Sequence, residues 1–468
     1  MGQNATGKAA IVSADEAASM VKSGMWLDYG CSVNQPDLFD AALARRAGDL
    51  TEVSIRSCLT LRPRAVLDAD PAREHFRYFS WHFTGLDRRM HDAGLCHYIP
   101  LNLGEAPDYY RRFIDPVDIV VVKARPMGRD GLFNLGPTNM WLRAVIERAR
   151  LVIVETADGL PHVYGEDNAI HVSEVDYVIE GDGAPPAELP SAPVSAVDRA
   201  VARLICAEMA DGDCLQIGIG GMPNAVCSLL HEAGVKDLGV HTEMLSDGLV
   251  ELYRAGLVTG ARKQIDAGAA TFTFALGGKA VYETLDRNPD MRCRPVDYTN
   301  MPHVIMRNDN VVSINSTTQV DLQGQAASES DGHRHISGTG GQLQFVRGAY
   351  ASNGGRSFIC LPSTYEKDGV RKSRIVLNLT AGNIVTTPRT DVMHVVTEYG
   401  VANLKGRSAP ERAWAMIGLA HPDFREDLER AAYENGLIPR SMAFSKVEMT
   451  DSPLPPRASV GAALPRTR

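Results

Sequence analysis

Two segments of the sequence carry residues whose types and spacing could do chemistry, and the first of them holds an acid. Residues 238–248 read LGVHTEMLSDG, so that Glu243 follows a short apolar strand and Gly248 closes the next turn. Reactive groups in α/β proteins lie at the ends of buried strands. The same acid could instead begin a helix, with Thr242 as the cap and the helix dipole as the stabilising charge. From the chemistry alone, the helix-start interpretation is slightly favoured.

The second segment is a glycine-rich turn at residues 216–224, QIGIGGMPN. It follows a predicted strand and precedes a predicted helix, where backbone N–H groups can face an anion. Pro223 occupies the place of the third glycine in the dinucleotide-binding pattern, which disfavours a dehydrogenase, and no Gly-Lys-Ser/Thr follows to make a P-loop. A tight turn without a ligand is an equally good interpretation.

Other candidate acids and ligands are less specific. Glu398 is a second acid at a predicted strand end, and by spacing alone it rivals Glu243. His333 and His335 form an H-x-H pair in a polar loop, but no third ligand lies nearby in the sequence. We therefore expect no metal site.

The elements that must position these residues are short β-branched runs that alternate with helical stretches. The clearest runs are 118–123, 151–155, 311–315, 375–379 and 394–398. Continuously apolar strands separated by helices are typical of buried, mostly parallel sheets. The sequence therefore predicts an α/β fold.

A change of composition divides the chain into two halves. Residues 181–193, GDGAPPAELPSAP, are rich in proline and poor in charge, and they predict a linker over 181–197. The linker separates an N-terminal α/β domain, 1–180, from a catalytic α/β domain, 198–450. A loosely ordered tail is predicted at 451–468. Residues 24–38 and 212–226 share the order of strand, glycine turn and helix start. The two domains are therefore predicted to be related and to face each other across a cleft.

The composition limits the classes of partner and location. The 468 residues include 48 Lys and Arg and 57 Asp and Glu, and the net charge of −9 gives no general attraction to nucleic acid or to anionic membranes. Eight scattered cysteines form no C-x-x-C pair and indicate reduced thiols. Because we find no apolar signal segment and no apolar run as long as a membrane span, we expect a cytoplasmic protein.

Six segments together resemble the acetyl-CoA hydrolase/transferase family, which includes the 4-hydroxybutyrate and butyrate CoA-transferases. They are residues 216–226, which include the glycine-rich turn, residues 239–248, and the segments 313–325 (SINSTTQVDLQGQ), 340–349 (GGQLQFVRGA), 361–367 (LPSTYEK) and 396–408 (VTEYGVANLKGRS). The resemblance covers nearly the whole chain. It implies a class I CoA-transferase built from two related open α/β domains with mostly parallel sheets. It also implies a homodimer or higher homo-oligomer, acyl-CoA and a short carboxylate as substrates, and no tightly bound cofactor.

The resemblance implies that Glu243 is the catalytic nucleophile. In the family this glutamate attacks the acyl-CoA thioester to form a mixed anhydride, and the expelled CoA thiolate returns to give a glutamyl-CoA thioester. An incoming carboxylate then reverses both steps. A glutamate with the ordinary pKa of about 4.3 is ionised at neutral pH and needs no general base. The backbone N–H groups of Gly340 and Gly341 are suited to stabilise the tetrahedral oxyanion, because glycine allows close approach.

The remaining implied site residues are predicted to contact CoA or the substrate acid: Gln216, Gly218, Gly220, Gly221, Met222, Pro223, Asn224, Asn315 and Lys367. Lys367 corresponds to the lysine of the family's Pro-Ser-Thr-x-Lys type of segment, with one residue inserted before it. Arg347 and Lys405 are further cations that could contact the phosphates. For Asn315 and Gln319, structural hydrogen bonding is an equal alternative.

Two departures from the family pattern bear on the acid that is transferred. Relatives usually carry an aspartate where this chain has Gln344, and residues 160–165 read LPHVYG where relatives often have Met-Pro-Arg-Thr. Both changes could retune the acyl pocket, so acids of the butyrate, 4-hydroxybutyrate, itaconate and succinate types all remain open. A thioester hydrolase and a non-catalytic CoA or ligand sensor on the same fold are the alternative functions.

Overall fold

The structure of the protein, a computed structural model, describes residues 9–189 and 192–439. It has the predicted α/β fold, with two large sheets that are mostly parallel. Among the helices of these residues, none has the length and apolar character needed to span a membrane. The predicted tail at 451–468 lies outside the described residues.

The first half of the chain forms an eight-stranded sheet. In chain order its strands are β1 (Ala10–Ile11), β2 (Trp26–Cys31), β3 (Val53–Cys58), β4 (Phe76–Ser80), β5 (Cys96–Tyr98), β6 (Ile119–Ala124), β7 (Leu151–Thr156) and β8 (Tyr177–Ile179). Their spatial order is β1-β8-β7-β6-β2-β3-β4-β5. Every neighbouring pair is parallel.

Both faces of this sheet are covered, as its apolar strand sequences predict. All six residues of β6 are buried. Val120 and Val122 pack in one hydrophobic cluster, whereas Ile119 and Val121 pack in another. Successive side chains of a strand point to opposite faces, so a strand that is apolar throughout needs a packed layer on each side.

The second half of the chain forms a six-stranded sheet. Its strands are β9 (Cys214–Ile217), β10 (Gly239–Val240), β11 (Val311–Ser316), β12 (Arg356–Cys360), β13 (His394–Thr397) and β14 (Gly400–Asn403). The spatial order is β10-β9-β11-β12-β13-β14. The first five strands are parallel, and β14 returns antiparallel to β13 as a hairpin at the edge.

One predicted core strand is absent from this sheet. The run 375–379 contributes only the two-residue strand Ile375–Val376, which pairs with Gln319–Asp321 in a small separate sheet. Ile375 is buried, but Asn378 is exposed and the residues between them are half-buried. The apolar stretch is therefore too short for a strand buried on both faces, and this prediction is wrong.

Helices surround the two sheets in the described residues. They are α1 (Ala14–Ser19), α2 (Leu38–Ala44), α3 (Ala65–Ala69), α4 (Gly85–Asp92), α5 (Ala106–Arg112), α6 (Leu142–Arg148), α7 (Ala196–Cys206), α8 (Gly221–Ala233), α9 (Asp247–Arg254), α10 (Lys279–Leu285), α11 (Val296–Asn300), α12 (Pro302–Ile305), α13 (Gln342–Ala351), α14 (Ala409–Leu419) and α15 (Pro422–Glu434). Strand β2 leads through a turn into α2, and β9 leads through a turn into α8. The shared order of strand, turn and helix in residues 24–38 and 212–226 predicts this.

The remaining elements are short. Single-turn 3-10 helices lie at Ser32–Asn34, Ala47–Asp49, Leu103–Glu105 and Val172–Glu174. Small sheets pair Leu132–Asn134 with Ala169–His171, Met244–Leu245 with Phe274–Ala275, Ala270–Phe272 with Met291–Cys293, Gln319–Asp321 with Ala326–Ala327, Ser330–Asp331 with Arg334–His335, and Thr364–Lys367 with Val370–Ser373. Several of these small sheets fix loops at the ends of the two large ones.

In chain order, the predicted linker falls between the last strand of the first large sheet and the first strand of the second. Residues 180–189 have no helix or strand, and α7 begins at Ala196, one residue before the predicted end of the linker. The hydroxyl of Tyr282 donates to the carbonyl oxygen of Ala187 at 2.6 Å, and the Leu189 N–H donates to the carbonyl oxygen of Gly277 at 3.1 Å. These bonds attach the segment to the second half, while the division into two domains stays a prediction.

Candidate active site

Backbone hydrogen bonds on both sides position the acid at the end of β10. The Thr242 N–H donates to the carbonyl oxygen of Thr271 at 2.9 Å. The carbonyl oxygen of Glu243 accepts from the N–H groups of Thr273 and Phe274 at 3.0 and 3.2 Å. Helix α9 begins only at Asp247. The helix-start interpretation of Glu243 is therefore wrong, and the acid lies at a strand end.

The Glu243 side chain faces a cavity of about 390 Å³ between the two halves of the chain. Leu59, Leu61 and His82 line the cavity from the first half, and Gly218 and Phe274 line it from the second. Both halves contribute because the loops after their strands meet there. The predicted cleft between facing sheet ends is thus present, with Glu243 in its wall.

Two donors hold the Glu243 carboxylate. Asn300 Nδ2 donates to Oε2 at 2.6 Å, and the backbone N–H of Gly341 also interacts with the carboxylate. Burial raises the pKa of Glu243 to about 7, although both hydrogen bonds act to lower it. With an ordinary pKa of about 4.3, Glu243 would be fully ionised at neutral pH. With a pKa of about 7 it is partly protonated there, so this prediction is wrong. Desolvation of a charged carboxylate in the cavity wall is the physical reason.

Gly341 is at a position where no side chain fits. A Cβ atom added there would lie closer than 3.0 Å to Glu243 Oε2 and to Asn300 Nδ2. Its neighbour Gly340 has a φ of +57°, in the left-handed region that favours glycine. The carbonyl oxygen of Gly340 accepts from the Leu103 N–H at 3.0 Å, which connects this loop to the first half of the chain.

Asn300 is a site residue that the sequence analysis missed. It is the last residue of α11 and lies 57 positions from Glu243. The Thr299 hydroxyl donates to Asn300 Oδ1 at 2.8 Å, which turns the amide nitrogen toward the carboxylate. A lone asparagine at the end of a short helix carries no sequence signal for this role.

The amide side chains predicted to contact substrate form a network beside the acid. Gln216 Nε2 donates to Asn315 Oδ1 at 3.2 Å, and Asn315 Nδ2 donates to Gln216 Oε1 at 3.1 Å. The Ser313 hydroxyl also donates to Gln216 Oε1, at 2.7 Å. Gln216, Gly218 and Asn315 line the same cavity as Glu243. The structure therefore brings three predicted contact residues together with the predicted nucleophile.

The other predicted contact residues do not line this cavity. Five of them form the turn before α8 and its first residues: Gly220, Gly221, Met222, Pro223 and Asn224. Lys367 lies exposed at the end of the strand Thr364–Lys367, at the tip of a hairpin. Their contacts with CoA stay predictions.

Gln344, which stands where relatives usually have an aspartate, is buried outside the cavity lining. Its Oε1 accepts from the Gly104 N–H at 2.9 Å, and its Nε2 lies 3.5 Å from the sulfur of Met301. Residues 160–165 also lie outside the cavity lining. Neither departure contributes to the lining of the cavity beside Glu243; Gln344 instead connects α13 to the first half of the chain.

The competing candidates lie elsewhere. Glu398 accepts from the backbone N–H of Ser363 at 2.9 Å and from its hydroxyl at 2.5 Å, and it does not line the cavity. His335 stacks on Tyr98, with 3.7 Å between the ring centroids. Within residues 9–189 and 192–439, no group of three or more His, Cys, Asp or Glu side chains could hold a metal ion.

Replacing Asn300 by alanine is expected to lower kcat for the reaction at Glu243 by about 10²- to 10³-fold, as the loss of one preorganised donor does. The pH midpoint of kcat/KM should also rise, because the Asn300 hydrogen bond lowers the pKa of Glu243. Steady-state rates across pH 5.5–8.5 measure both effects. Asn288, which bonds to Tyr253 and Thr284 away from the cavity, is the matched alanine control. Wild-type kinetics for the Asn300 variant would contradict the role assigned to this amide.

Comparison with known proteins places this chain among CoA-handling enzymes. Residues 4–190 match the family model of the acetyl-CoA hydrolase/transferase N-terminal domain, and residues 277–432 match that of the C-terminal domain. The butyryl-CoA:acetate CoA-transferase of Anaerostipes caccae is 46% identical over 92% of this chain and 97% of its own length. The succinyl-CoA:cyclohexane-1-carboxylate CoA transferase of Geobacter metallireducens is 43% identical over 90% of this chain and 94% of its own.

A solved structure shows the same fold. The crystal structure of RipA from Yersinia pestis superimposes with a TM-score of 0.83 and 40% sequence identity. The match covers 92% of this chain and 98% of the RipA chain. Two halves with mostly parallel sheets are therefore the architecture of this group of proteins.

Proposed function

Because this chain belongs to the acetyl-CoA hydrolase/transferase family, we propose that it moves CoA between a short acyl-CoA and a small carboxylic acid through a covalent intermediate on Glu243. It is an enzyme of the CoA-transferase class, as its relatives are. The observation that carries the proposal is a carboxylate at a strand end, in the wall of a cavity between the two halves of the chain, where Asn300 and Gly341 donate to it.

The proposed cycle begins with the ionised form of Glu243. Its carboxylate oxygen attacks the thioester carbon, the C–S bond breaks, and CoA leaves as the thiolate while a mixed anhydride forms. The thiolate then attacks Cδ of Glu243, and the bond between Cδ and the bridging oxygen of the anhydride breaks. The first acid departs as a carboxylate and leaves a glutamyl-CoA thioester. An incoming carboxylate repeats the two steps in reverse order and regenerates Glu243.

The hydrogen bonds at Oε2 support the second step. When the thiolate attacks Cδ, negative charge develops on an oxygen of Glu243 itself. Asn300 Nδ2 already lies 2.6 Å from Oε2, and Gly341 allows the backbone to approach closely. Donors that are in place before the charge forms lower the barrier without reorganisation.

The cavity favours an aliphatic monocarboxylic acid of the butyrate type. Its walls are mostly apolar and include Leu59, Leu61, Leu103, Phe274 and Leu276. Among the lining side chains that the structure describes, acidic and basic groups are limited to Glu243, Arg88 and the neutral imidazole of His82. A second carboxylate, as in succinate or itaconate, would lose its hydration against these walls, and Arg88 would be its one basic partner among the described lining residues.

Initial-rate kinetics test the proposal. With butyryl-CoA as donor and acetate as acceptor, double-reciprocal plots are expected to be parallel, as a covalent intermediate requires. Butyrate-type acids should have higher kcat/KM values than succinate or itaconate. Intersecting plots would overturn the covalent cycle. CoA release that does not depend on any acceptor acid would identify a thioester hydrolase instead, and no turnover of any acyl-CoA would indicate a ligand sensor.

The pH dependence should separate the two half-reactions. Protonated Glu243 is not a nucleophile, so kcat/KM for the acyl-CoA should fall about tenfold per pH unit below about 7 and level off above it. In the glutamyl-CoA form Glu243 no longer titrates, and a carboxylic acid with a pKa of about 4 to 5 is already ionised. The kcat/KM for the acceptor acid should therefore be constant between pH 6 and 8. A donor profile that is constant down to pH 5.5 would contradict the raised pKa.

Assembly and location complete the proposal. We expect a homodimer or higher homo-oligomer in the cytoplasm, and the eight cysteines, which are all free thiols in the structure, are consistent with a reducing compartment. Light scattering of the purified protein measures the oligomeric state.

A further inference from the structure

His82 is a second polar group in the catalytic cavity, and it comes from the opposite half of the chain. It lies two residues after β4. Its carbonyl oxygen accepts from the Leu59 N–H at 3.0 Å, and the N–H of the next residue, Phe83, donates to the carbonyl oxygen of Ser337 at 3.0 Å. The backbone at His82 is therefore fixed to both halves of the chain.

The imidazole packs edge-on against the glycine-containing loop at residues 338–340. A Cβ added to Gly338 would lie 2.8 Å from Nδ1, and one added to Gly340 would lie 3.3 Å from Cε1. Nδ1 is buried and has no hydrogen-bond partner among the described residues. The other ring nitrogen, Nε2, is not among the buried atoms without a partner, and it faces the cavity that His82 lines.

This environment selects one protonation state of His82. A buried N–H without an acceptor is rarer in proteins than a buried acceptor without a donor, so the proton belongs on Nε2 rather than on Nδ1. Burial and the nearby His335 lower the pKa of His82 to about 4. The group facing the cavity is therefore a neutral N–H donor at physiological pH.

His82 and the Oε1 atom of Glu243 both lie beside Gly340. A Cβ added to Gly340 would lie 3.8 Å from Oε1 and 3.3 Å from His82 Cε1, whereas Asn300 and Gly341 contact Oε2. The two distances place Oε1 and Cε1 within about 7 Å of each other, a gap that an acyl group bonded to Oε1 can reach across.

We propose that His82 is a further catalytic residue, whose Nε2–H donates to the carbonyl oxygen of the acyl group as it becomes the oxyanion of the tetrahedral intermediate. The inference rests on the proposed function of Glu243. No proton is transferred: the hydrogen bond strengthens as the C=O electrons move to oxygen and weakens when the C–S bond breaks. The two oxyanions of the cycle then have separate donors, with His82 at the acyl oxygen and Asn300 with Gly341 at the glutamate oxygen.

Rapid-mixing measurements of CoA adduct formation test this role. His82→Phe keeps a planar ring but has no donor, and we expect its rate of adduct formation from butyryl-CoA to fall about 10²- to 10³-fold. His82→Gln can place an amide N–H near the position of Nε2 and should recover most of that rate. His97→Phe, which replaces an exposed histidine of β5 outside the cavity lining, is the matched control and should react as the wild type does.

The outcomes separate this inference from the proposed function. A wild-type rate for His82→Phe, with an adduct on the wild-type enzyme, would overturn the role of His82 and leave the role of Glu243 in place. A rate for His82→Gln as low as that for His82→Phe would also overturn it, because shape rather than the donor would then matter. If His82→Phe does not fold, judged by thermal melting, His82→Leu provides the variant without a donor. The absence of any adduct on the wild type would refute the proposed function itself.

Discussion

Glu243→Ala is expected to lower kcat for CoA transfer by about 10⁴-fold or more, because the variant has no atom that can carry the acyl group or CoA. The substitution should leave the fold intact. It removes a carboxyl group whose pKa is raised by burial, so at pH 8 the wild type bears a desolvation cost that the variant lacks. Transfer rates with butyryl-CoA and acetate, together with melting temperatures at pH 8, measure both effects.

The matched control for this variant is Glu398→Ala. Glu398 rivals Glu243 in the sequence, since both acids follow apolar strands. In the structure its carboxylate accepts two hydrogen bonds from Ser363, outside the cavity lining. We expect its loss to reduce kcat less than tenfold. If the Glu398 variant were the inactive one and Glu243→Ala kept its rate, the catalytic assignment would be reversed.

Gly341→Ala is expected to reduce kcat by about 10³-fold or more while the protein still folds. The backbone of Gly341 has a φ of −98°, which any residue adopts, so the obstacle is the space for Cβ. That atom would displace both the carboxylate of Glu243 and the amide of Asn300. A shift of about 1 Å in a reacting group can cost 10²-fold, and here two groups shift together. Overpacking of this kind destabilises a fold by about 1–3 kcal/mol.

A second glycine at a helix start provides the control for Gly341→Ala. Gly278 precedes α10 with a φ of −77°, and a Cβ added there would come no closer than 3.4 Å to Asp247. Gly278→Ala should therefore keep the wild-type kcat. Full activity of Gly341→Ala would show that Glu243 does not need the geometry described here.

The apolar runs of the sequence predict most of the fold. The runs 118–123 and 151–155 are β6 and β7 at the centre of the first sheet, and 311–315 and 394–398 are β11 and β13 of the second. These four predictions succeed because nearly every apolar residue of each run is buried in a large sheet, and the polar Ser313 and Asn315 of β11 hydrogen bond to Gln216 of β9. In the run 375–379 only Ile375 is buried and Asn378 is exposed, and only Ile375–Val376 pairs, in a small separate sheet.

The site is only partly visible in the sequence. Glu243, Gly340 and Gly341 lie in motifs that can be recognised. Asn300, which bonds to Glu243, and His82, which lines the cavity, come from distant segments and carry no local signal. The raised pKa of Glu243 likewise depends on how the two halves pack around it. The position of Asn300, the position of His82 and the pKa of Glu243 all depend on contacts between segments that are far apart in the chain. The spacing of residues within one segment cannot predict such contacts.

Intact mass of the enzyme after incubation with butyryl-CoA, without an acceptor acid, tests the central claim most directly. We expect a species heavier by one CoA minus one water, bound as a thioester to Glu243, that added acetate discharges and that Glu243→Ala does not form. Free CoA that accumulates with no adduct on the wild type, or an adduct that persists on Glu243→Ala, would contradict it.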